Sequence, residues 1–339
     1  MRPWQIGPTF GQLQRSEAPI PTPGPGELLL KMSAVALNYR DLLMLEGAYN
    51  PRQPLPLTPC SDGVGVVVGA GPQTSTPQGS RVLPIFAQGW LDGTPDRSTL
   101  STTLGGPRSG TLTPYLVVPE SAVVAAPAHL TDAEASTLGC AAVTAWRALV
   151  TLGGLAAGDV VLTQGTGGVS LFAMQIAKMQ GATVILTSSS DDKLARAKAL
   201  GADHGINYRA DASWGRTALA LTQDRGVDHV IELGGSATLD QSLRAVRPGG
   251  IIDLIGMLSG SSAEVLLTRI FMQGVRVQGV MVGSRADLSA LCRALSANPG
   301  VRPTIDRVFA YNDVPEAFAR LKSGEHFGKI VVSLDGADA

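Results

Sequence analysis

The residues with the clearest chemical spacing are Gly165-Thr166-Gly167-Gly168-Val169-Ser170, set between an apolar run at 159–165 and an amphipathic run at 168–180. A glycine loop between a buried-type strand and a helix is a phosphate-binding turn. Gly165 allows the tight turn, and Gly167 lets the backbone approach a pyrophosphate. The helix that starts near Gly168 offers free N–H groups and the positive end of its dipole. Ser170 replaces the third glycine and is small enough for close helix packing. An NAD site expects an acid about 20 residues on, at the end of the second strand. That place reads Thr187-Ser188-Ser189-Ser190, with Asp191 and Asp192 arriving late, as first-turn residues of the next helix. A 2′-phosphate therefore meets no carboxylate. Ser189 and Lys193 could bind it and Tyr208 could cover it, so NADP(H) is favoured over NAD(H). Lys193 reads equally well as part of a solvated helix face.

Metal and disulfide chemistry find no pattern. Cys60, Cys140 and Cys292 are far apart and never form a C-x-x-C pair, and the four histidines show no H-E-x-x-H spacing. Neither a disulfide framework nor a zinc lobe can be built from them. With 27 Lys+Arg against 28 Asp+Glu the net charge is −1, so no basic nucleic-acid footprint exists over the whole chain. No secretory signal and no uncharged run of about 18 apolar residues is present, which predicts no membrane span and a cytoplasmic protein.

Two textures position these residues. Up to about 125, short β-type runs (27–37, 63–71, 79–87, 114–119, 121–127) alternate with Pro- and Gly-rich turns, predicting an irregular, mostly antiparallel β-domain. Residues 89–110 lack periodicity and predict a long functional loop. From about 128 the chain reads as α/β. A helix N-capped by Thr131 comes first, then strands at 159–165, 183–189, 204–208, 227–235 and 250–257 alternating with amphipathic helices. Near-continuous apolar strands between such helices predict a doubly wound, Rossmann-type parallel sheet. After a strand at 275–283 and a helix at 285–298, the strands at 306–313 and 326–334 could return to the first domain. The expected division is 1–125 with 299–339, and 126–298.

The segments 36–51 (ALNYRDLLMLEGAYNP), 56–71, 111–120, 127–149, 164–178, 200–209, 244–256 and 326–332 (HFGKIVV) together resemble the medium-chain dehydrogenase/reductase superfamily, in its zinc-free, quinone-oxidoreductase-like branch. The resemblance implies a GroES-like β-domain plus a Rossmann domain, with the active site in the cleft between them. Where zinc alcohol dehydrogenases carry a ligand Cys, this chain has Asn38, and where they carry Gly-His-Glu it has Cys60-Ser61-Asp62. Cys140 matches the third ligand, but alone it holds no zinc, which takes about three protein ligands at a catalytic site. The resemblance thus implies no metal.

Without a Lewis acid, simple alcohol oxidation is handicapped, whereas a quinone or enone delocalises negative charge onto a remote oxygen. By resemblance, Tyr49 would donate a proton or hydrogen bond near the nicotinamide, or merely line the cleft. Asn38 would face substrate or the cofactor ribose, or hold an Asx turn. Asp41 would cap a helix starting at Leu42. Thr144 would touch the nicotinamide, unless it bonds its own helix backbone. Gly234, Ile255 and Gly256 end strands where cofactor contacts fall, and Gly283, Ser284, Phe327 and Lys329 match segments that close over the dinucleotide. The reading is a zinc-independent NADPH-dependent reductase of quinones or α,β-unsaturated carbonyl compounds. The alternatives are an NAD(P)-dependent alcohol or aldehyde dehydrogenase and a non-catalytic dinucleotide-binding protein. Relatives resembling this chain pair the strand at 275–283 across a two-fold axis, which predicts a homodimer.

Overall fold

Two compact units divide the chain, and the computed structural model describes residues 1–337. One unit holds Met1–Val143 and the chain from Gly283 on; the other is Thr144–Val282. The boundaries differ from those expected at 125 and 298. The first lies inside a helical stretch, where the sequence changes texture only gradually. The helix Arg285–Ala297 belongs with the β-rich unit.

In the β-rich unit the strand Glu27–Ala36 is the organiser. It pairs antiparallel with Asp62–Ala70, Tyr115–Pro119 and Lys329–Ser333. The sheet runs Ile305–Phe309, Lys329–Ser333, Glu27–Ala36, Asp62–Ala70, Arg81–Pro84, Val123–Ala125, so the last strands do return to the first domain. Alternate residues Leu28, Leu30 and Met32 are buried in one core with Ile6, Leu37, Leu112 and Phe318, as period-two patterning requires. The helix after the central strand spans Tyr39–Leu45 and begins three residues earlier than expected. Asp41 is its third residue, and its carboxylate reaches back to accept the Asn38 N–H at 2.8 Å. Residues 89–110 carry a short helix, Arg97–Leu100, and are held from within by Arg40, which donates to the carbonyls of Leu104 (3.0 Å) and Gly106 (3.3 Å).

The stretch Asp132–Leu152 is long and apolar enough to cross a membrane by composition, yet it is mostly buried within the fold. Thr131 caps it as expected, accepting from the Glu134 N–H. It is interrupted by wide π-type turns at Leu138–Ala142 and Arg147–Leu152. At the first of these the Gly139 N–H donates to Asp62 Oδ1 (2.8 Å), and a Cβ on Gly139 would lie 2.9 Å from that oxygen.

The second unit is the predicted doubly wound sheet. Its six strands are parallel in the order His204–Asn207, Thr183–Ser188, Val160–Gln164, Val227–Glu232, Val246–Leu254, Arg276–Gly279. Strand order reverses between Val160–Gln164 and Val227–Glu232, the topological switch point where such sheets bind ligands. Leu162, Ile185, Val230 and Ile252 form the core on one face with Trp214 and Leu243 of the covering helices.

One buried group opposes this packing. Neither carboxylate oxygen of Asp253 has a hydrogen-bond partner, and burial pushes its pKa from 3.8 up to about 7 against the opposing pull of Arg276. The folded state therefore holds a proton between about pH 4 and 7 that the unfolded chain has lost, and this group's contribution to stability falls as pH rises through that window. Asp253→Asn is expected to remove that slope and to stabilise the protein at pH 8 by about 2 kcal/mol, discounted for relaxation around the buried charge. Denaturant unfolding at pH 5 and 8 checks it. Parallel pH profiles in the two proteins would refute it.

Candidate active site and cofactor site

The strand–loop–helix at Gly165–Ser170 has the expected form. Gly165 takes φ +76°, a left-handed conformation that suits glycine, and its N–H donates to Thr187 O at 2.7 Å. Gly167 is the N-cap of the helix Gly168–Met179, with φ −79° and no side-chain cap bond. A Cβ placed on Gly167 would meet nothing within 4 Å. No protein group needs a glycine there, so the open space before a helix N-terminus fits a pyrophosphate. Ser170 is fully buried and its hydroxyl donates to the Gln164 carbonyl, pinning the helix start to the strand end.

Beyond the neighbouring strand, the hydroxyl of Ser190 caps the helix Asp191–Ala199, accepting from the Lys193 N–H at 3.3 Å. Asp191 and Asp192 are first-turn residues of that helix, and Asp191 Oδ1 accepts from Asn207 Nδ2 at 2.8 Å. Tyr208 follows the strand His204–Asn207, is exposed, and donates its N–H to Ser188 O at 3.0 Å. Ser189, Lys193 and Tyr208 are thus brought to the ends of two adjacent strands with no carboxylate ending the second one. Gly234 and Ile255-Gly256 follow the next two strands of the sheet. Thr144 is buried within the helical stretch.

In the β-rich unit the motif residues converge on a buried ionic cluster. Lys329 Nζ, 4% exposed by side chain, donates to Leu37 O and Asn38 Oδ1, both at 2.6 Å, and lies 3.7 Å from Asp62 Oδ2. Asn38 Nδ2 donates to Asp62 Oδ2 at 3.3 Å. Burial pushes Asp62 up to about 6, with the Lys329 ammonium and the Asn38 and Gly139 hydrogen bonds resisting. Asp41 is also raised by burial, against the pull of Arg40. Arg40 stacks over the rings of Tyr49 (5.0 Å) and Phe86 (4.8 Å). Tyr49 itself is 47% exposed.

Several expectations change here. Lys329, matched to a segment that closes over the dinucleotide, is buried, and its ammonium engages Leu37 O and Asn38 Oδ1. Phe327 is buried as core, its N–H donating to Asp306 Oδ1 at 2.9 Å. Ser284 is the N-cap of Arg285–Ala297, its hydroxyl exchanging hydrogen bonds with Asp287, and a Cβ on Gly283 would lie 2.5 Å from Val143 Cγ2. These segments match family motifs, but a motif gives the position of a side chain and not the partner it already has. The amide of Asn38 is engaged at both ends, which makes it a link in the cluster. Arg40 is a member that the motifs do not single out. Its signal is a cation inside Asn38-Tyr-Arg-Asp41, between aromatics.

A zinc ion does not fit this cluster. The Asn38 and Asp62 oxygens already face an ammonium, burial pushes the Cys140 thiol up to about 12, and among the described residues no three His, Cys, Asp or Glu side chains are grouped to hold a metal. Thiols bind metals as thiolates, and burial disfavours that form here despite the opposing pull of Lys329 and Arg40.

Family comparison agrees with both halves. Residues 24–128 match the alcohol dehydrogenase GroES-like domain, and residues 168–297 match the zinc-binding dehydrogenase domain. A zinc-type alcohol dehydrogenase-like protein of Schizosaccharomyces pombe is 39% identical over 336 residues, covering 96% of each chain. A structure from Sinorhizobium meliloti, provisionally named an alcohol dehydrogenase, is 46% identical, covers 98% of both chains and superposes with a TM-score of 0.92. A 2-octenoyl-CoA carboxylase reductase solved with NADP and 2-octenoyl-CoA is 25% identical with a TM-score of 0.84, covering 95% of this chain and 82% of its own. With a GroES-like unit, a Rossmann-type parallel sheet and these matches along nearly its whole length, the chain belongs to the medium-chain dehydrogenase/reductase superfamily and is an oxidoreductase of that family.

Proposed function

We propose that the protein is a metal-independent, NADPH-dependent reductase of quinones or α,β-unsaturated carbonyl compounds. The observation that carries this reading is the Lys329–Asn38–Asp62 cluster, in which an internal ammonium holds the oxygens that a metal would need. A bound nicotinamide supplies a hydride. Gly165–Val169 holds the pyrophosphate, and Ser189, Lys193 and Tyr208 take the 2′-phosphate. Tyr49 offers its phenol to the oxygen on which charge develops. Conjugated acceptors suit this equipment because their charge spreads without a Lewis acid, and the 2-octenoyl-CoA complex of the relative is consistent with that class. Three buried cysteines outside any disulfide accord with a cytoplasmic setting.

A comparison of acceptors tests the substrate class. NADPH oxidation with a 1,4-quinone or a simple enone is expected to exceed that with a saturated aldehyde by at least about a hundredfold, the size of a lost Lewis-acid contribution. Faster aldehyde reduction, or alcohol oxidation with NAD⁺, would favour the alcohol dehydrogenase reading instead. Tyr49→Phe is expected to lower kcat about tenfold and no further, because Tyr49 is exposed enough for water to replace the proton. An unchanged kcat would remove the phenol from the mechanism.

The homodimer belongs to the same proposal. Arg276–Gly279 is an edge strand, and Met257, Leu258, Leu266, Leu267, Phe271 and Met272 stand exposed in the segment leading to it. Unpaired edges and apolar patches of this kind mark association surfaces. Light scattering is expected to give a dimeric mass for the wild type and a monomeric one for Leu267→Glu/Phe271→Glu. A monomeric wild type at micromolar concentration would contradict it.

A further inference from the structure

The two strands that flank the switch point each end in a buried polar residue, Gln164 and Glu232, and no role for either follows from the sequence motifs. The Gln164 carbonyl accepts from Ser170 Oγ at the start of the phosphate-loop helix. Its side-chain Oε1 accepts the N–H groups of Leu233 and Gly234, both at 3.0 Å, and its Nε2 donates to Glu232 Oε2 at 2.7 Å and to Ser242 Oγ at 2.9 Å.

Glu232 continues the network. Its Oε1 accepts from Gly234 N (3.0 Å), Gly235 N (2.9 Å) and Thr238 Oγ1, and its Oε2 also accepts from Ser242 Oγ. Its backbone carbonyl accepts the N–H groups of Ile255 (3.0 Å) and Gly256 (3.1 Å). These partners are neutral donors gathered around an acceptor-only group. Leaving such donors unpaired in the interior costs more than making the bonds gains.

We propose that Gln164 and Glu232 form a positioning pair that sets the spacing of the three turns expected to contact the dinucleotide, Gly165–Val169, Gly234-Gly235 and Ile255-Gly256. The inference rests on the dinucleotide reading above. A dinucleotide spans the switch point, with one half on each set of strands. Its affinity therefore depends on the spacing of the turns, whereas a ligand confined to the adenosine half senses only the strands on one side. The pair touches the turns and not the reacting atoms, so its part is positioning.

The test compares full and half ligands by fluorescence or calorimetric titration of the full chain. NADPH is the full ligand, and 2′,5′-ADP is the half ligand, replaced by NADH and 5′-AMP if NADH binds more tightly. In Gln164→Leu, which leaves the Leu233 N–H unpaired and the Gly234 N–H on Glu232 Oε1 alone, NADPH affinity is expected to fall about tenfold or more, the worth of one to two hydrogen bonds. Affinity for 2′,5′-ADP is expected to stay within about twofold. Equal weakening of both ligands, or of neither, overturns the positioning role and leaves only a structural one. If Gln164→Leu does not fold, Gln164→Asn, which keeps the amide on a shorter arm, carries the same comparison with the same outcomes. Failure of the wild type to bind either dinucleotide overturns the inference together with the reading beneath it, and is recognised because no variant is needed to see it.

Discussion

Gly167→Ala is expected to leave the apo protein as stable as the wild type while weakening NADPH binding about a hundredfold, or 2.7 kcal/mol. The separation follows from what surrounds the residue. Gly167 has an ordinary extended φ, and a Cβ there meets no protein atom within 4 Å, so the fold gives no reason for glycine. Restricting the unfolded chain gains a few tenths of a kcal/mol, and alanine is a poorer helix N-cap than glycine, so the two terms nearly cancel. What the methyl group fills is the space before the helix N-terminus. Gly165→Ala serves as the contrast: at φ +76° the substitution strains the backbone and is expected to cost about 1 kcal/mol of stability. Thermal unfolding and NADPH titration of the two variants check the pair. If Gly167→Ala binds NADPH as tightly as wild type, the loop does not hold a pyrophosphate.

Lys329→Met is expected to destabilise the protein by about 4 kcal/mol, and Lys329→Met/Asp62→Asn to recover at least half of that loss. Removing the ammonium leaves Asn38 Oδ1 and the Leu37 carbonyl without their donor and leaves the Asp62 carboxylate buried without its cation. Asp62, already pushed up to about 6, would move higher still, and its proton would be retained to higher pH. With the folded value raised above the unfolded one, the single variant should lose stability as pH rises through neutrality. Making Asp62 neutral removes that slope. Denaturant unfolding of the four proteins of this cycle at pH 6 and 8 measures both effects. A single variant within 1 kcal/mol of wild type would mean that the cluster does not depend on its cation.

Much of the architecture is legible in the sequence because each unit obeys one period. The strands at 160–164 and 183–188 are buried on both faces and read as largely apolar runs, and the strand at 27–36 alternates. The phosphate loop is legible because glycines that close an apolar strand and open a helix mark a turn with bare backbone N–H groups. The rest depends on interactions that composition does not carry. At the wide turn Leu138–Ala142 a carboxylate 77 residues away takes the Gly139 N–H, which no local pattern announces. The motifs around Lys329, Phe327 and Ser284 point to the cofactor only through the family resemblance. Their partners in the fold are Asn38, the N-cap of Tyr39–Leu45, Asp306 on a neighbouring strand, and Asp287 in the helix that Ser284 caps. Gln164 and Glu232 carry a faint signal, a polar residue closing an apolar strand just before glycine or within two residues of a glycine pair, but only the sheet order shows that those two strands are neighbours.

The most direct measurement of the central claim is steady-state NADPH oxidation by chelator-stripped protein, with metal content determined on the same sample. A quinone or an enone is the acceptor, and EDTA is present throughout. The account predicts full turnover at less than a tenth of an equivalent of zinc, no stimulation by added Zn²⁺, and preference for NADPH over NADH. Turnover that appears only on adding Zn²⁺ and scales with bound metal would contradict it, and would mean that the Lys329 ammonium yields its place among Asn38, Asp62 and Cys140 to a metal ion.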